Sequence, residues 1–403
     1  MKRDNLLVAV PFGGRSAEHD VSVITALAAI IPPLRLLGHT VMPIYITKEG
    51  KWLTDPRLTE VKTYQSGVLE EIIEKAEPLR LELDGTFTII QKKTRWKKAK
   101  RRIDLVFSAL HGTYGEDGSL MGLLRMAGVP FVGCDMAASA VAMDKVLSKD
   151  VVRAQGLLTP EWISFSKVEW TQNPERILER LRKLGMPVFV KPAHLGSSIG
   201  ITKVTKAAEL GNAVDVALVY DNKCLVEKAV ENLTEVTVPV IGNEDLELGL
   251  VEKPLNKGEF FDFDAKYLNG GKKGEGSEQG GGKKGGGKGA QGYSELPAMM
   301  PDGSTRGSRR GLYQECEEVA AKVYRAVGCQ GIARIDLLVD GKAGKVYFNE
   351  VNPMPGSLYA HNFAAGGMSK VDLVGRLVEL ALERAEAEDS LERAFSTSYL
   401  RQF

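Results

Sequence analysis

Cysteine is scarce in this chain, and the four present, Cys134, Cys224, Cys316 and Cys329, form no CxxC pair and no zinc-ligand spacing. That leaves reduced thiols in a cytoplasmic protein as the simplest account. A surplus of charge is missing too. With 53 basic against 52 acidic side chains, nothing in the net charge points to nucleic acid or an anionic membrane as partner. No apolar run approaches membrane-spanning length. The charged residues 1–5 precede an apolar stretch, 6–10, that is too short for a signal-peptide core, in keeping with a cytoplasmic location. Function therefore has to be sought in local sites.

The chain's 403 residues exceed what one core normally organises, so two or three domains are expected. Residues 6–10 read as a buried strand, 17–37 as a helix, 40–47 as a second strand, and 103–110 as a third that leads into His111–Gly118 and a helix ending near Ala127. Such alternation predicts a parallel α/β unit. Residues 52–102 are less regularly patterned and end in a basic run, 92–102, around Trp96. A run of that kind grips RNA or forms a solvated loop, and the balanced overall charge favours the loop. A new unit starts near Asp135, with a small-residue helix leading to Met143-Asp144-Lys145.

The richest chemistry lies between residues 331 and 353. Apolar runs flank Asp340–Gly344 and predict two strands joined by a tight turn. If the turn centres on Lys342, Arg334 faces Glu350 and Asp336 faces Phe348, and Arg334, Asp336, Glu350 and Asn352 project from one side. Three oxygen donors without His or Cys suit Mg2+, which takes few protein ligands and fills its shell with water and phosphate oxygens. A solvated polar face is the alternative, but a polar cluster inside an apolar strand is costly unless something binds it. Upstream, 187–192 and 201–204 flank Gly196-Ser197-Ser198-Ile199-Gly200, a strand, glycine loop and strand. Lys191 precedes the loop and no helix follows, so this is not a P-loop. A glycine hairpin tip can still lay N–H groups on phosphate oxygens with Lys191 as a point charge, or it is simply a turn.

Residues 224–230, followed by 235–240, predict a strand crossing into a third unit whose main chain could meet an adenine edge. Lys266 and Tyr267 stand just before an abrupt change of composition. From 269 to 292 the chain is almost all Gly and Lys, a segment expected to be flexible because it cannot bury a core. A helix over 311–327 and an amphipathic one over 371–387 complete the chain.

Taken in order, residues 12–22, 111–118, 143–145, 191–200, 264–267, 334–336 and 350–356 make the chain resemble the ATP-grasp family and, within it, the D-alanine:D-alanine ligases. The resemblance implies a three-domain ATP-grasp α/β fold with an N-terminal Rossmann-like parallel-sheet domain, divided at 1–134, 135–226 and 227–403, with 269–292 inserted in a lid. It implies D-alanine and ATP as substrates, two Mg2+ ions replaceable by Mn2+, and a homodimer. Carried over by motif, Asp336, Glu350 and Asn352 would hold metal, and Lys145, Lys191 and Lys266 the phosphates. Glu227 and Lys228 would bracket adenine, with Glu235 on the ribose. Glu18, oriented by Ser197 and joined to Tyr267 on closure, would pair with the first ammonium. His111 would sit near that substrate, and Arg334 with the Gly356 N–H would stabilise the oxyanion. Without the family, Glu18 reads as a carboxylate complementing a helix dipole. Where the family usually has a Ser for the second carboxylate, this chain has His361, so a different acceptor is the competing reading; a nucleotide-binding protein without catalysis is a third. Tyr267 at the lid favours an amine acceptor over D-lactate.

Overall fold

The computed structural model describes residues 5–83, 86–92, 98–254, 294–392 and 399–401. Lys266, Tyr267 and the segment 269–292 lie outside them, as do residues 93–97 of the basic run.

The first sheet has the order β3-β2-β1-β7, with β1 (Leu7–Gly13) parallel to both β2 (Thr40–Ile46) and β7 (Leu105–Val106) and β3 (Trp52–Leu53) antiparallel at the edge. β1 is apolar from end to end because both of its faces are covered, as a central parallel strand requires. The strand expected over 103–110 shortens to Leu105–Val106, although Phe107 and Ala109 still donate to the carbonyls of Ala9 and Pro11 at 2.9 Å. The helix expected over 17–37 is three pieces: α1 (His19–Thr25), a π-helical turn at Ala26–Ile30 and α2 (Ile31–Leu36). Pro32 and Pro33 explain the break. Pro32 has no N–H for the Ala28 carbonyl, which accepts from Lys370 Nζ at 2.9 Å instead. Residues His19–Leu36 do reach 18 residues at a mean hydropathy of 1.3, a correction to the expectation that nothing approaches a membrane span. Their apolar side packs on the first core, including Ala26, Ile30, Ile31 and Leu34.

The irregular region is a second correction. Helix α3 (Val68–Lys75) precedes an antiparallel sheet of β4 (Arg80–Leu83), β5 (Phe87–Lys92) and β6 (Lys98–Arg102), so the end of the basic run is a strand and not a loop. Lys100 pairs with Glu82 at 2.6 Å there. Helices α4 (Ser119–Met126), α5 (Met136–Met143) and α6 (Lys145–Ala154) follow; Asp144 caps α6 by accepting the N–H groups of Val146 and Leu147 at 2.9 and 3.1 Å.

A further four-stranded sheet, all antiparallel, has the order β10-β9-β11-β8. It comprises β8 (Trp162–Ser166), β9 (Val188–Pro192), β10 (Thr202–Val204) and β11 (Lys223–Lys228), with α7 (Lys167–Gln172), α8 (Pro174–Arg182) and α9 (Leu210–Tyr220) between them. The expected boundary after residue 226 falls inside β11, and the chain crosses to another four-stranded sheet at 229–232. That sheet runs β13-β12-β16-β17, from β12 (Leu233–Gly242), β13 (Leu246–Leu248), β16 (Gly331–Asp340) and β17 (Lys345–Asn352). The ribbon of β14 (Lys253–Pro254) and β15 (Ser294–Glu295) flanks it, and α10 (Leu312–Val327) backs it. Finally α11 (Ala360–Ala365) and α12 (Lys370–Asp389) return the C-terminal region to the first core, where Leu373, Leu377 and Leu380 meet Leu34 and Val8.

Candidate active site

The hairpin of β16 and β17 sets the site's geometry. Its register differs from the expected one by two residues, pairing Arg334 with Asn352 and Asp336 with Glu350. One residue of the shift comes from the turn, which closes at Asp340 opposite Lys345, and one from a bulge between Asp336 and Leu337. An even shift keeps side chains on their faces, so Arg334, Asp336, Glu350 and Asn352 still share one side. The bulge makes Asn349 the unpaired residue and re-aims it. Its carbonyl accepts from Lys149 at 3.2 Å and its side-chain oxygen from Lys191 at 3.4 Å. Within the face, Arg334 grips Asp336 through two bonds of 2.7 Å, and Asn352 donates to the same carboxylate at 3.1 Å.

Opposite the hairpin lie three lysines. Lys191, from β9, pairs with Glu227 on the neighbouring β11, and Lys149, from α6, pairs with the other oxygen of Glu227 at 3.0 Å. Lys149 and Glu227 are almost wholly buried. Burial alone would push the Glu227 carboxyl up, but Lys149 and Lys191 outweigh it and hold it down at about 2. Lys145 donates to the Leu195 carbonyl at 2.6 Å and pairs with Glu350 at 3.1 Å, joining the glycine loop to the hairpin face.

At the far end, Glu18 reaches in from the first unit and accepts a hydrogen bond from the Ser197 hydroxyl at the loop tip. Gly112 makes room for it. A Cβ there would lie 2.7 Å from Glu18 Oε2, and φ of +68° suits glycine. Glu116 sits behind, fully buried, accepting the N–H of Gly112 at 2.6 Å and of Met354 at 3.2 Å. Burial, with the neighbouring Glu18 charge, pushes its carboxyl up to about 8, so it is protonated at neutral pH. Burial likewise pushes the His111 imidazole down to about 4. His111 shares Thr25 with the N–H of Ser357, at 2.9 and 3.0 Å, which ties three distant segments together.

Most of these groups line one cavity of about 590 Å³, with Lys149, Thr25 and Gly112 behind its wall. Of the residues expected at the site, it gathers Glu18, His111, Lys145, Lys191, Ser197, Glu227, Lys228, Glu235, Arg334, Asp336, Glu350, Asn352 and Gly356. His361 does not line it. Its ring bonds Glu252 at 3.0 Å and lies 4.6 Å from the Tyr359 ring. After Gly356 the chain turns through Ser357, Leu358 and Tyr359 at φ of +50°, +56° and +51°, a left-handed run that non-glycine residues adopt only when held. Tyr359 is held by the Arg334 guanidinium over its ring and by Thr237, whose hydroxyl is 2.9 Å from its own. Sequence reading missed Glu116, Lys149, Asn349, Thr25 and Tyr359. Glu116 lay within the 111–118 motif, Asn349 stood at the head of the polar run inside the hairpin's apolar strand, and Lys149 follows Lys145 by one helical turn, which puts both on one face of α6; Thr25 and Tyr359 carried no signal.

The hairpin's donor set fits a hard divalent cation, since two carboxylates and an amide stand together without thiol or imidazole. Among the described residues no three His, Cys, Asp or Glu side chains cluster as a self-sufficient metal cage. Opposed lysines and an N–H-rich loop on one side, and a carboxylate on the other, can grip a polyphosphate and an ammonium in one enclosure.

Comparison with known proteins identifies the family. The model of the D-ala D-ala ligase N-terminus matches residues 7–134, and that of the D-ala D-ala ligase C-terminus matches 151–277 and 307–379. A D-alanine–D-alanine ligase of Chloroherpeton thalassium is 35% identical over 382 residues, 94% of this chain and 96% of that one. D-alanine–D-alanine ligase B of Clostridium tetani is 33% identical, covering 93% of both chains. Among solved structures, the D-Ala:D-Ser ligase VanG of Enterococcus faecalis superposes with a TM-score of 0.73 at 28% identity, over 94% of this chain and 100% of that one. The D-alanine-D-alanine ligase of Coxiella burnetii gives 0.72 at 25% identity, over 96% of each. The α/β architecture is thus the ATP-grasp fold, and the chain belongs to the D-alanine:D-alanine ligase family of ATP-dependent ligases.

Proposed function

We propose that this protein joins two D-alanine molecules at the expense of ATP, through a D-alanyl phosphate, to supply a peptidoglycan precursor. The observation that carries the reading is the one cavity lined together by the hairpin carboxylates, by Lys145 and Lys191, and by Glu18. In this reading Lys145 and Lys191 hold ATP phosphates, Glu227 and Lys228 flank the adenine, and Glu235 meets the ribose. Asp336, Glu350 and Asn352 hold Mg2+, which neutralises phosphate charge. Glu18, set by Ser197, binds the ammonium of the first D-alanine next to His111, so that its carboxylate points at the γ-phosphate. The acyl phosphate forms as ADP leaves. The amine of the second D-alanine then attacks the acyl carbon, and Arg334 with the Gly356 N–H stabilises the oxyanion before phosphate departs. The protein does little covalent work; it positions reactants and neutralises charge.

Lys266 and Tyr267 complete the phosphate and lid contacts in this reading. The units 1–134, 135–226 and 227–403, a homodimer and a cytoplasmic location belong to it as well. The structural likeness to a D-Ala:D-Ser ligase keeps a different acceptor as the second reading. Phosphate release from ATP with Mg2+ is to be followed with D-alanine alone and paired with D-serine or D-lactate, with products identified by mass. D-Ala-D-Ala from D-alanine alone is expected. A product only in the paired reactions would replace the acceptor, and no D-amino-acid-dependent release would overturn the reading.

A further inference from the structure

The loop from Leu195 to Gly200 borders the cavity through Leu195, Gly196, Ser197 and Ser198. Ser197 and Ser198 hold φ of +53° and +59°, which non-glycine backbone keeps only under restraint. The tip is restrained by the Ser197 bond to Glu18. At the root, the Ala193 carbonyl accepts the Lys145 N–H at 3.0 Å, and the Leu195 carbonyl accepts Lys145 Nζ at 2.6 Å. His194 stands between these two anchors. Its N–H donates to Asp221 at 2.7 Å, its Nδ1 lies 3.0 Å from both Asp221 oxygens, and its Nε2 lies 3.3 Å from Asp144 Oδ2.

Both ring nitrogens therefore face carboxylates, which can only accept. A neutral imidazole carries one N–H and would set its lone pair against one of the two acids, whichever tautomer it took. The full set of contacts belongs to the cation. Asp144 is also the cap of α6, whose first residue is Lys145, and it takes Lys223 Nζ at 2.8 Å.

We propose, resting on the ligase reading above, that the His194 imidazolium is a positioning residue that latches the root of the Leu195–Gly200 loop to the start of α6, and that its deprotonation loosens the loop and weakens nucleotide binding. The groups facing the ring are Asp144, the cap of α6, and Asp221 from the turn after α9, and Lys223 from β11 shares the Asp144 oxygen. Hydrogen bonds to Asp144, then to Asp221, raise the ring from 6.5 to about 9. Because the folded value lies above the unfolded one, the latch's contribution to folding is complete below about pH 6.5, while in the folded protein the ring keeps its proton until pH rises through about 9.

The test compares the full-length protein with His194→Gln and Asp221→Asn between pH 7 and 10, measuring MgATP affinity by calorimetry and the His194 ring by NMR titration. For the unaltered protein, a loss of affinity of about threefold to tenfold is expected across this range, the scale of a half-exposed ion pair. His194→Gln should begin near the weakened value and lose that step, and Asp221→Asn should lower the ring's titration point. Parallel pH profiles for the protein and His194→Gln, or a ring titrating below pH 7, would overturn the latch. Neither readout needs turnover. An unaltered protein that binds MgATP but releases no phosphate with D-alanine sinks the ligase reading alone; an active ligase whose His194 titrates low sinks the latch alone.

Discussion

The two ends of the cavity manage charge in opposite ways. Around Lys149, Lys191 and Glu227, charges are buried and paired, and the Glu227 carboxyl is held down at about 2 by two ammonium groups. Around Glu18, burial works against charge instead: it pushes His111 down to about 4 and Glu116 up to about 8. The difference follows the proposed ligands. A polyphosphate is anionic throughout the physiological range and meets fixed cations, whereas one ammonium needs one negative charge, and a second carboxylate would only repel the first.

The largest effect should come from breaking the end where the charges are paired. Lys149→Met leaves Glu227 with Lys191 alone in a desolvated site and should cost about 3–5 kcal/mol in urea unfolding, as broken buried pairs do. A loss under about 1 kcal/mol would mean that water replaces the ammonium. Next, Glu18→Gln removes the charge at the other end. A fall of about a hundredfold in kcat/KM for D-alanine, roughly 2.7 kcal/mol, is expected with MgATP affinity little changed. Equal losses for both substrates would erase the division between the ends.

Glu116→Gln sharpens the comparison through pH. Glu116 keeps its proton in the folded state up to about pH 8, while the unfolded chain loses it near 4.5. Stability from this group therefore falls as pH rises from about 4.5 to about 8 and is level above that. The Gln variant should flatten that decline in thermal melts taken from pH 5 to 8, and an unchanged slope would show that Glu116 is ionised. The smallest effect is expected at His361→Ser. Since the ring bonds Glu252 outside the cavity, the KM for the second D-alanine should move by less than about threefold, within the range of an exposed pair. A shift of tenfold or more would bring His361 into the acceptor site.

Legibility in the sequence followed the range of the interactions. The hairpin face could be read because strand spacing of two is local, and it survived a misjudged register since the error was even. The bulge was not readable, because it depends on how β17 meets a partner in space, and with it went the role of Asn349. The single helix expected over 17–37 failed at Pro32 and Pro33, whose missing N–H groups were visible in the sequence but whose remedy, Lys370, lies over three hundred residues away. Glu18 meets Ser197, and Glu116 meets Met354, only through the tertiary fold. No periodicity could bring them together, and family resemblance alone singled out Glu18.

The Ser197 bond to Glu18 has a consequence for how ligands interact across the cleft. The loop that borders the proposed nucleotide site is fastened at its tip to the carboxylate proposed to receive the amino acid. An ammonium that draws Glu18 toward itself must then change the free energy of the loop, and a nucleotide that settles the loop must change the readiness of Glu18. Thermodynamic linkage makes the two factors equal, so the affinity each ligand gains or loses from the other should be the same in either order of addition.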